Sequence, residues 1–368
     1  MRVLVTGAAG FIGKTLVLRL KEQADVEPVP WTRQNDAQSL PAVLATVDAV
    51  VHLAGVNRPR DGAAFQVDNV DATDWLARCL RDDGRGLPVI MASSVHAGLQ
   101  TEYGVSKRQA EEVLRAYGVQ SGADVYVYRL PNVFGKWVRP NYNSVVGTFA
   151  YNVVHGLPLQ IDKRESPLRL VYVDDVVDAF LDVLRRRPTP GEYCDVPVQY
   201  ETTVGALADT FTAFRDGRRD MCAGAVGAGL ERALYATYVS YFPPSEFSYP
   251  LPLHADARGE FVEMLKTPNS GQFSYFTARP GVTRGGHYHH TKTEKFLVIR
   301  GKARFCFRHV LTGERHELCT LGGVPQVVET IPGWTHDITN VGDEELVVML
   351  WANEIFDRSR PDTVAEPV

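Results

Sequence analysis

The sequence predicts two folds in series: a doubly wound α/β parallel sheet over the first two-thirds, then a small all-β barrel or jelly roll. Three observations predict them. A glycine-rich turn follows the first apolar run, in Val3-Leu4-Val5-Thr6-Gly7-Ala8-Ala9-Gly10-Phe11-Ile12-Gly13. Short apolar runs then alternate with helical patterns to about residue 240. From Phe247 the hydrophobic period changes to two, and Gly-containing turns recur at regular spacing.

Composition bounds the answer. A chain of 368 residues suggests two domains, and 45% hydrophobic with 23% charged residues supplies an ordinary core. A net charge of -5 gives no electrostatic drive toward nucleic acid. No apolar run approaches the roughly 20 residues that span a bilayer, so no membrane partner is expected. No signal peptide is read at Met1. Cys79, Cys194, Cys222, Cys306 and Cys319 form no CxxC pair and read as reduced thiols, so the expected compartment is the cytoplasm.

The opening strand, its turn and the helical pattern from Lys14 to Lys21 make a phosphate cradle: backbone N–H groups and the helix dipole face the ligand, and glycine permits close approach. The glycines fall as GxxGxxG, not the commoner GxGxxG. Val26 to Arg33 reads as a second strand despite two prolines. Its end meets the adenine ribose in a dinucleotide fold, where an acid favours NAD and an Arg accommodates a 2′-phosphate. Thr32-Arg33 contains no acid, so the expected cofactor is NADPH, with Arg33 on the phosphate.

Val47 to Gly55 is a further buried strand whose small-residue end leaves room for a cofactor. Asp71 to Arg81 reads as a helix. Leu87 to Ala92 is a strand that brings Ser93-Ser94 to its C-terminal end, where open α/β sheets bind ligands. Tyr103 and Lys107 lie four apart and share a helix face. A nearby ammonium lowers a phenol's pKa, which fits Tyr103 for proton transfer, and Ser94 can hold a carbonyl oxygen beside it.

Together Gly7 to Gly13, His52-Leu53-Ala54-Gly55, Ser93-Ser94, Tyr103 with Lys107, Arg129 to Gly135, and Tyr172-Val173-Asp174-Asp175-Val176 resemble the extended short-chain dehydrogenase/reductases (extended SDR), which carry a Rossmann-type sheet. That family acts largely on nucleotide-linked sugars. The resemblance implies Gly7, Gly10, Phe11, Ile12, Gly13, Leu53, Ala54, Gly55 and Pro131 as cofactor contacts. It implies Tyr103 as proton donor, Lys107 as its tuner and ribose ligand, and Ser94 as carbonyl ligand. Only nine positions separate Ser94 from Tyr103, so Ser93 stays an alternative. Asn132 and Arg169 match substrate positions. Thr189 to Gly224 reads as a small substrate lobe, and its charge run Arg215-Asp216-Gly217-Arg218-Arg219-Asp220 as a solvated face. Phe242-Pro243-Pro244-Ser245 breaks the helical pattern, which places a domain boundary there: residues 1–244, then 245–368.

In the second domain His287 and His289 are two apart on a strand and aim to one face, with Glu294 opening the next strand and His336 following later. Imidazoles and a carboxylate converging in a barrel suit a divalent metal: Zn foremost, or Mn or Fe. His290 should point away and be exposed. The spacing G-x5-H-x-H-x4-E-x6-G from Gly281 to Gly301, then P-G-x2-H-x3-N from Pro332 to Asn340, is similar to the cupin pattern. Asp256 to Phe261 and Gly281 to Tyr288 also resemble the deoxy-sugar 3,5-epimerases. That likeness implies His287 as general base, with Arg258, Arg284 and Lys295 neutralising enolate and diphosphate. A base needs the lone pair that a ligand has spent, so His287 is either ligand or base.

The order reductase then cupin resembles, over the whole chain, the bifunctional enzymes of UDP-N-acetyl-L-fucosamine synthesis for bacterial capsule and O-antigen. It implies a UDP-linked 4-keto-6-deoxy amino sugar as substrate, C3 epimerisation by the cupin, NADPH-dependent C4 reduction by the reductase, and a homodimer. The alternative is a 4-ketoreductase whose cupin is a metal-stabilised structural or dimerisation module.

Overall fold

In a computed structural model, the structure describes residues 1–58, 63–251, 254–256, 259–261, 271–354 and 359–368. The chain divides into two compact units. The first holds residues 1–134, 141–144 and 167–202; the second holds 135–140, 145–166 and 203–368.

In the first unit β1 (Arg2–Thr6), β2 (Glu27–Trp31), β3 (Ala49–His52), β4 (Val89–Ser94) and β5 (Val125–Leu130) form one sheet in the order β2-β1-β3-β4-β5. Every pair is parallel. Parallel strands are buried on both faces, which explains their continuous apolar runs. Alternation sends Val3, Val5, Val51 and Ile90 to one side, where Leu16, Leu20, Val176 and Phe180 cover them. Leu4, Val50, Val89 and Met91 face the other side, against Leu76, Leu80, Leu114 and Tyr117. The prolines of β2 are tolerated because β2 is an edge strand. A second small sheet contains β6 (Asn132–Phe134), β7 (Pro167–Tyr172) and β8 (Tyr200–Thr203), in that order.

The second unit is dominated by antiparallel strands: β9 (Ser248–Pro250), the hairpin pair β10 (His254–Asp256) and β11 (Gly259–Phe261), β12 (Gln272–Ala278), β13 (Thr283–Tyr288), β14 (Glu294–Arg300), β15 (Lys302–His309), β16 (Arg315–Leu321), β17 (Gln326–Glu329), β18 (Trp334–Asn340), β19 (Leu346–Ala352) and β20 (Val364–Ala365). One sheet runs β12-β19-β14-β17-β9 and the other β16-β15-β18-β13-β20. Their inner faces meet through aromatic rings: Phe296 lies 5.7 Å from Phe305, and Phe247 lies 5.3 Å from Phe307 and 5.0 Å from Trp334. The helices Val204–Arg219 and Gly229–Val239 belong to this unit too.

The charge run of the lobe is not wholly solvated, as the sequence suggests. Arg218 is withdrawn from water, stacks 4.3 Å from both the Phe242 and Tyr249 rings, and pairs with buried Glu329. Helical spacing turns Arg218 toward the barrel while its neighbours Arg215 and Arg219 stay exposed. Among the described residues, no helix is long and apolar enough to cross a membrane.

Candidate functional site

The glycine-rich turn forms a cradle that admits no side chain. Gly7 has φ +68°, and a Cβ there would lie 2.7 Å from the backbone of Leu53 and Ala54. A Cβ on Gly13 would come 2.2 Å from the Gly7 carbonyl oxygen. The helix Phe11–Lys21 starts at Gly10, whose carbonyl accepts from Lys14 N at 2.9 Å, so the first N–H groups of the helix face the turn. This backbone fits a dinucleotide pyrophosphate. Phe11 and Ile12 form the first helical turn, half-buried, and Pro131 joins β5 to β6. Arg33 is three-quarters exposed and 3.3 Å from Asp68.

The β3 end is pinned by residues that sequence reasoning missed as functional. His52 is buried between Thr6 Oγ1 (2.8 Å) and Thr73 Oγ1 (2.9 Å). Burial, then the charge of Lys107, pulls its pKa down to about 3, so the ring is neutral. Thr6 Oγ1 in turn accepts from the amides of Leu53 and Ala54 at 3.2 and 3.3 Å. Buried Asn69 donates to the Val56 carbonyl and Ser106 Oγ, both at 3.0 Å, beside Gly55. No local pattern marks Asn69 in the sequence.

Ser94 ends β4 beside Tyr103, close enough for its hydroxyl to pull the phenol's pKa down. The turn Val95–Gly98 fits the short connection: Ser94 caps it, with Oγ accepting His96 N at 3.2 Å. The helix Glu102–Ser121 then starts at Thr101, which caps Gly104 N. A Cβ on Gly104 would meet the His96 carbonyl at 2.3 Å, so only glycine lets the helix pack this close to the turn. Ser93 is committed elsewhere: its hydroxyl donates to buried Glu111, which also accepts from Arg129 Nε at 3.0 Å and Nη2 at 2.7 Å. Alternation on β4 therefore separates the two serines, leaving Ser94 beside Tyr103.

Lys107 is buried, donates to the Ala92 carbonyl at 2.9 Å, and titrates near 8, lowered by burial against the raising effect of Glu111. The expected tuning of Tyr103 by Lys107 is not what the structure displays. Burial raises the phenol above its ordinary value, and the bond to Ser94 is what pulls it back. The Lys107 ammonium instead faces the Ala92 carbonyl. Asn132 Nδ2 donates to the Arg169 carbonyl at 3.2 Å across adjacent strands, and both residues are exposed.

In the barrel the ligand atoms of His287, His289, Glu294 and His336 all lie within 4.8 Å of one another. Glu294 Oε2 sits 3.2 Å from His289 Nε2 and 3.4 Å from His336 Nε2. Burial opposes ionisation of Glu294, but these ring contacts hold its carboxyl well below the usual range. Burial lowers His336 as well, and brings His287 to about 4 with help from the charges of His336 and His289. His289 Nδ1 lies 2.7 Å from the Asp362 carbonyl oxygen. A carbonyl only accepts, so Nδ1 carries the proton and Nε2 of a neutral ring turns its lone pair on the carboxylate. A second proton or a cation between Nε2 and Glu294 resolves that opposition, and neutral imidazoles with a carboxylate suit a divalent metal.

His290 is buried (3% exposed), contrary to expectation: the C-terminal segment covers it, with Asp362 accepting from His290 N at 2.9 Å. Arg284 lies 4.9 Å over the Phe276 ring, which contacts Phe296 beside His336. Lys295 is not brought to the cluster. It follows Glu294 on β14, so it points to the other face, where it is buried against Glu329 and near Tyr249. Arg258 lies outside the described residues.

Residues 3–194 match the NAD-dependent epimerase/dehydratase family, and residues 254–364 match the polysaccharide biosynthesis C-terminal domain. The chain is 53% identical over 365 residues to the UDP-2-acetamido-2,6-beta-L-arabino-hexul-4-ose reductase of Pseudomonas aeruginosa, covering 99% of this chain and 98% of that protein. It is similar over 100% of both chains to the crystal structure of the capsular polysaccharide assembling protein CapF from Staphylococcus aureus, with 40% identity and a TM-score of 0.69. A UDP-glucuronic acid 4-epimerase from Bacillus cereus, at 19% identity, shares the fold over 59% of this chain and 84% of that one, with a TM-score of 0.54.

Proposed function

Because the chain belongs to the NAD-dependent epimerase/dehydratase family, in the capsule-sugar branch that pairs this fold with a polysaccharide biosynthesis C-terminal domain, we propose that it is a bifunctional enzyme of UDP-linked 4-keto sugars. The substrate is a UDP-2-acetamido-2,6-dideoxy-hexos-4-ulose. The barrel, residues 245–368, inverts C3, and the module of residues 1–244 reduces C4. The observation that supports this reading is the pair of side-chain clusters in one chain: Ser94 beside Tyr103, with a side-chain-free cradle in the same sheet, and three imidazoles grouped with Glu294.

In the barrel His287 accepts the C3 proton, which the adjacent C4 ketone acidifies. It is the least buried of the four cluster residues, and it is neutral at pH 7. Arg284, over the Phe276 ring, meets the negative charge of the enolate or diphosphate. A solvent-derived proton delivered to the opposite face inverts C3, and His287 gives its own proton up to solvent. His289, Glu294 and His336 would hold a divalent metal, Zn foremost, which supplies Lewis acidity toward a carbonyl oxygen.

In the reductase module Ser94 holds the C4 carbonyl oxygen and Tyr103 gives it a proton. Asn132 and Arg169 meet the sugar and its diphosphate. The Gly7–Gly13 cradle, Leu53-Ala54-Gly55, Pro131 and Lys107 would hold NADPH, with Arg33 on its 2′-phosphate, and the cofactor would supply a hydride to C4. Reduction removes the ketone that permits epimerisation, so it fixes the new C3 configuration in a precursor of UDP-N-acetyl-L-fucosamine. The working form is a homodimer, as the likeness to both families suggests, and sedimentation of the full chain tests it.

Proton NMR of the UDP-4-keto sugar with the enzyme in D₂O tests the division of labour. Deuterium at C3 without NADPH, then reduction when NADPH is added, is the expected result. Reduction with no prior exchange would leave a plain 4-ketoreductase.

A further inference from the structure

The last described segment of the chain is built into the His cluster. Val364 and Ala365 pair with Tyr288 and His287 as an antiparallel edge strand on β13. Glu366 N donates to the Gly286 carbonyl at 2.9 Å, and Thr335 Oγ1, beside His336, donates to the Glu366 carbonyl at 2.5 Å. Asp362 is the centre of this strap. Its Oδ1 accepts from His290 N at 2.9 Å; its Oδ2 accepts from Thr291 N at 2.8 Å, Thr291 Oγ1 at 2.9 Å and Lys292 N at 2.7 Å. Its own carbonyl takes the His289 Nδ1 proton at 2.7 Å. The residue achieves this at φ +33°, which a non-glycine residue adopts only where its surroundings hold it there.

We propose that Asp362 is a positioning residue for the metal site: its carboxylate pins the loop His290–Lys292 while its carbonyl fixes the Nδ1–H tautomer of His289, so Nε2 presents a lone pair to the cation. Once the carboxylate no longer pins the segment, the carbonyl is free to leave Nδ1, the His289 ring can exchange tautomers and rotate, and one ligand in the set is no longer pre-organised. Outer partners of this kind set ligand orientation and basicity. The inference rests on the metal reading above.

The test uses the full-length protein and its variants Asp362→Ala, Asp362→Asn and Glu366→Ala. Zn²⁺ affinity is measured by competition with a chromophoric chelator, and the Co²⁺-loaded protein is followed by its visible absorption. Asp362→Ala removes all four carboxylate contacts and is expected to weaken Zn²⁺ binding about 10–100-fold and to change the Co²⁺ band. Asp362→Asn keeps the acceptor toward Thr291 and Lys292, so it carries the measurement if Ala fails to fold, and should show a smaller loss of at least about threefold, with the Co²⁺ band closer to native. Glu366→Ala removes only the pair with Arg308, 2.8 Å away, and should bind Zn²⁺ within about twofold of wild type. Folded Asp362 variants with wild-type affinity and an unchanged Co²⁺ band would overturn the proposal. So would an equal loss in Glu366→Ala, which would make the effect a general loosening of the strap. Failure of the wild type to take up either metal would sink the metal reading itself, and the positioning role with it.

Discussion

Glu111→Gln separates the structural from the electrostatic work of one buried carboxylate. Glu111 is 2% exposed, accepts from both Nε and Nη2 of Arg129 and from the Ser93 hydroxyl, and lies four residues after Lys107. Removing one partner of a buried pair costs about 3–5 kcal/mol. Arg129 keeps about a quarter of its side chain in water and stacks 4.0 Å from the Tyr193 ring, so screening brings the cost to about 2–3 kcal/mol. At roughly 2–4 °C per kcal/mol for a unit of this size, Tm should fall by about 4–12 °C. The second effect is on pH dependence. On the proposed roles, with Tyr103 giving the proton and a charged Lys107 holding the cofactor, burial holds Tyr103 up, so Lys107, near 8, loses its proton first as pH rises. Activity should therefore fall as pH rises through about 8. Glu111 raises the Lys107 pKa, so its neutralisation lowers that pKa and moves the fall to lower pH. The assay is the pH profile of kcat/KM for NADPH oxidation, beside thermal unfolding by circular dichroism. A basic limb that stays put or moves upward in a folded variant would refute the electrostatic argument.

Other outcomes follow from the same geometry. Tyr103→Phe should reduce NADPH oxidation about 100- to 10,000-fold while leaving C3 exchange intact by NMR, because general acid catalysis is worth that much; loss of both together would end the assignment of separate sites. His287→Asn should abolish exchange and keep Zn²⁺ affinity within about threefold, whereas a loss of 10-fold or more by competition titration would make His287 a ligand rather than a base. Gly13→Ala places a Cβ 2.2 Å from the Gly7 carbonyl oxygen, so fluorescence titration should detect no NADPH binding at concentrations that saturate wild type.

Much of the fold is legible because its signals are local. The glycine turn, the Tyr103 and Lys107 helix face and the run from His287 to Glu294 each sit in one short stretch, and each forms where the sequence puts it, with His336 joining the last of them from β18. The misreadings come from contacts made at a distance. His290 reads as exposed because period two turns it away from His289, yet Asp362, seventy-odd positions later, closes over that face. Arg218 reads as one charge in a solvated run because its partner, Glu329, is on β17. Lys295 is a different kind of miss. The same alternation that groups His287 with His289 puts Lys295 opposite Glu294, so the conflict with a shared site was already in the spacing. The choice between Ser93 and Ser94 turns on Glu111, whose burial no local pattern announces.

The division of the chain into interleaved segments has a consequence for how the molecule can be taken apart. The backbone leaves one unit for the other after residues 134, 140, 144, 166 and 202. A single nick by a protease in any one loop leaves at least one unit made of pieces from both fragments. Neither half of the gene encodes a closed body, and a fragment beginning at Phe247 lacks the two lobe helices and the 135–140 and 145–166 segments that complete its unit. An exchange of segments between relatives that keeps both units closed would therefore have to move these pieces together.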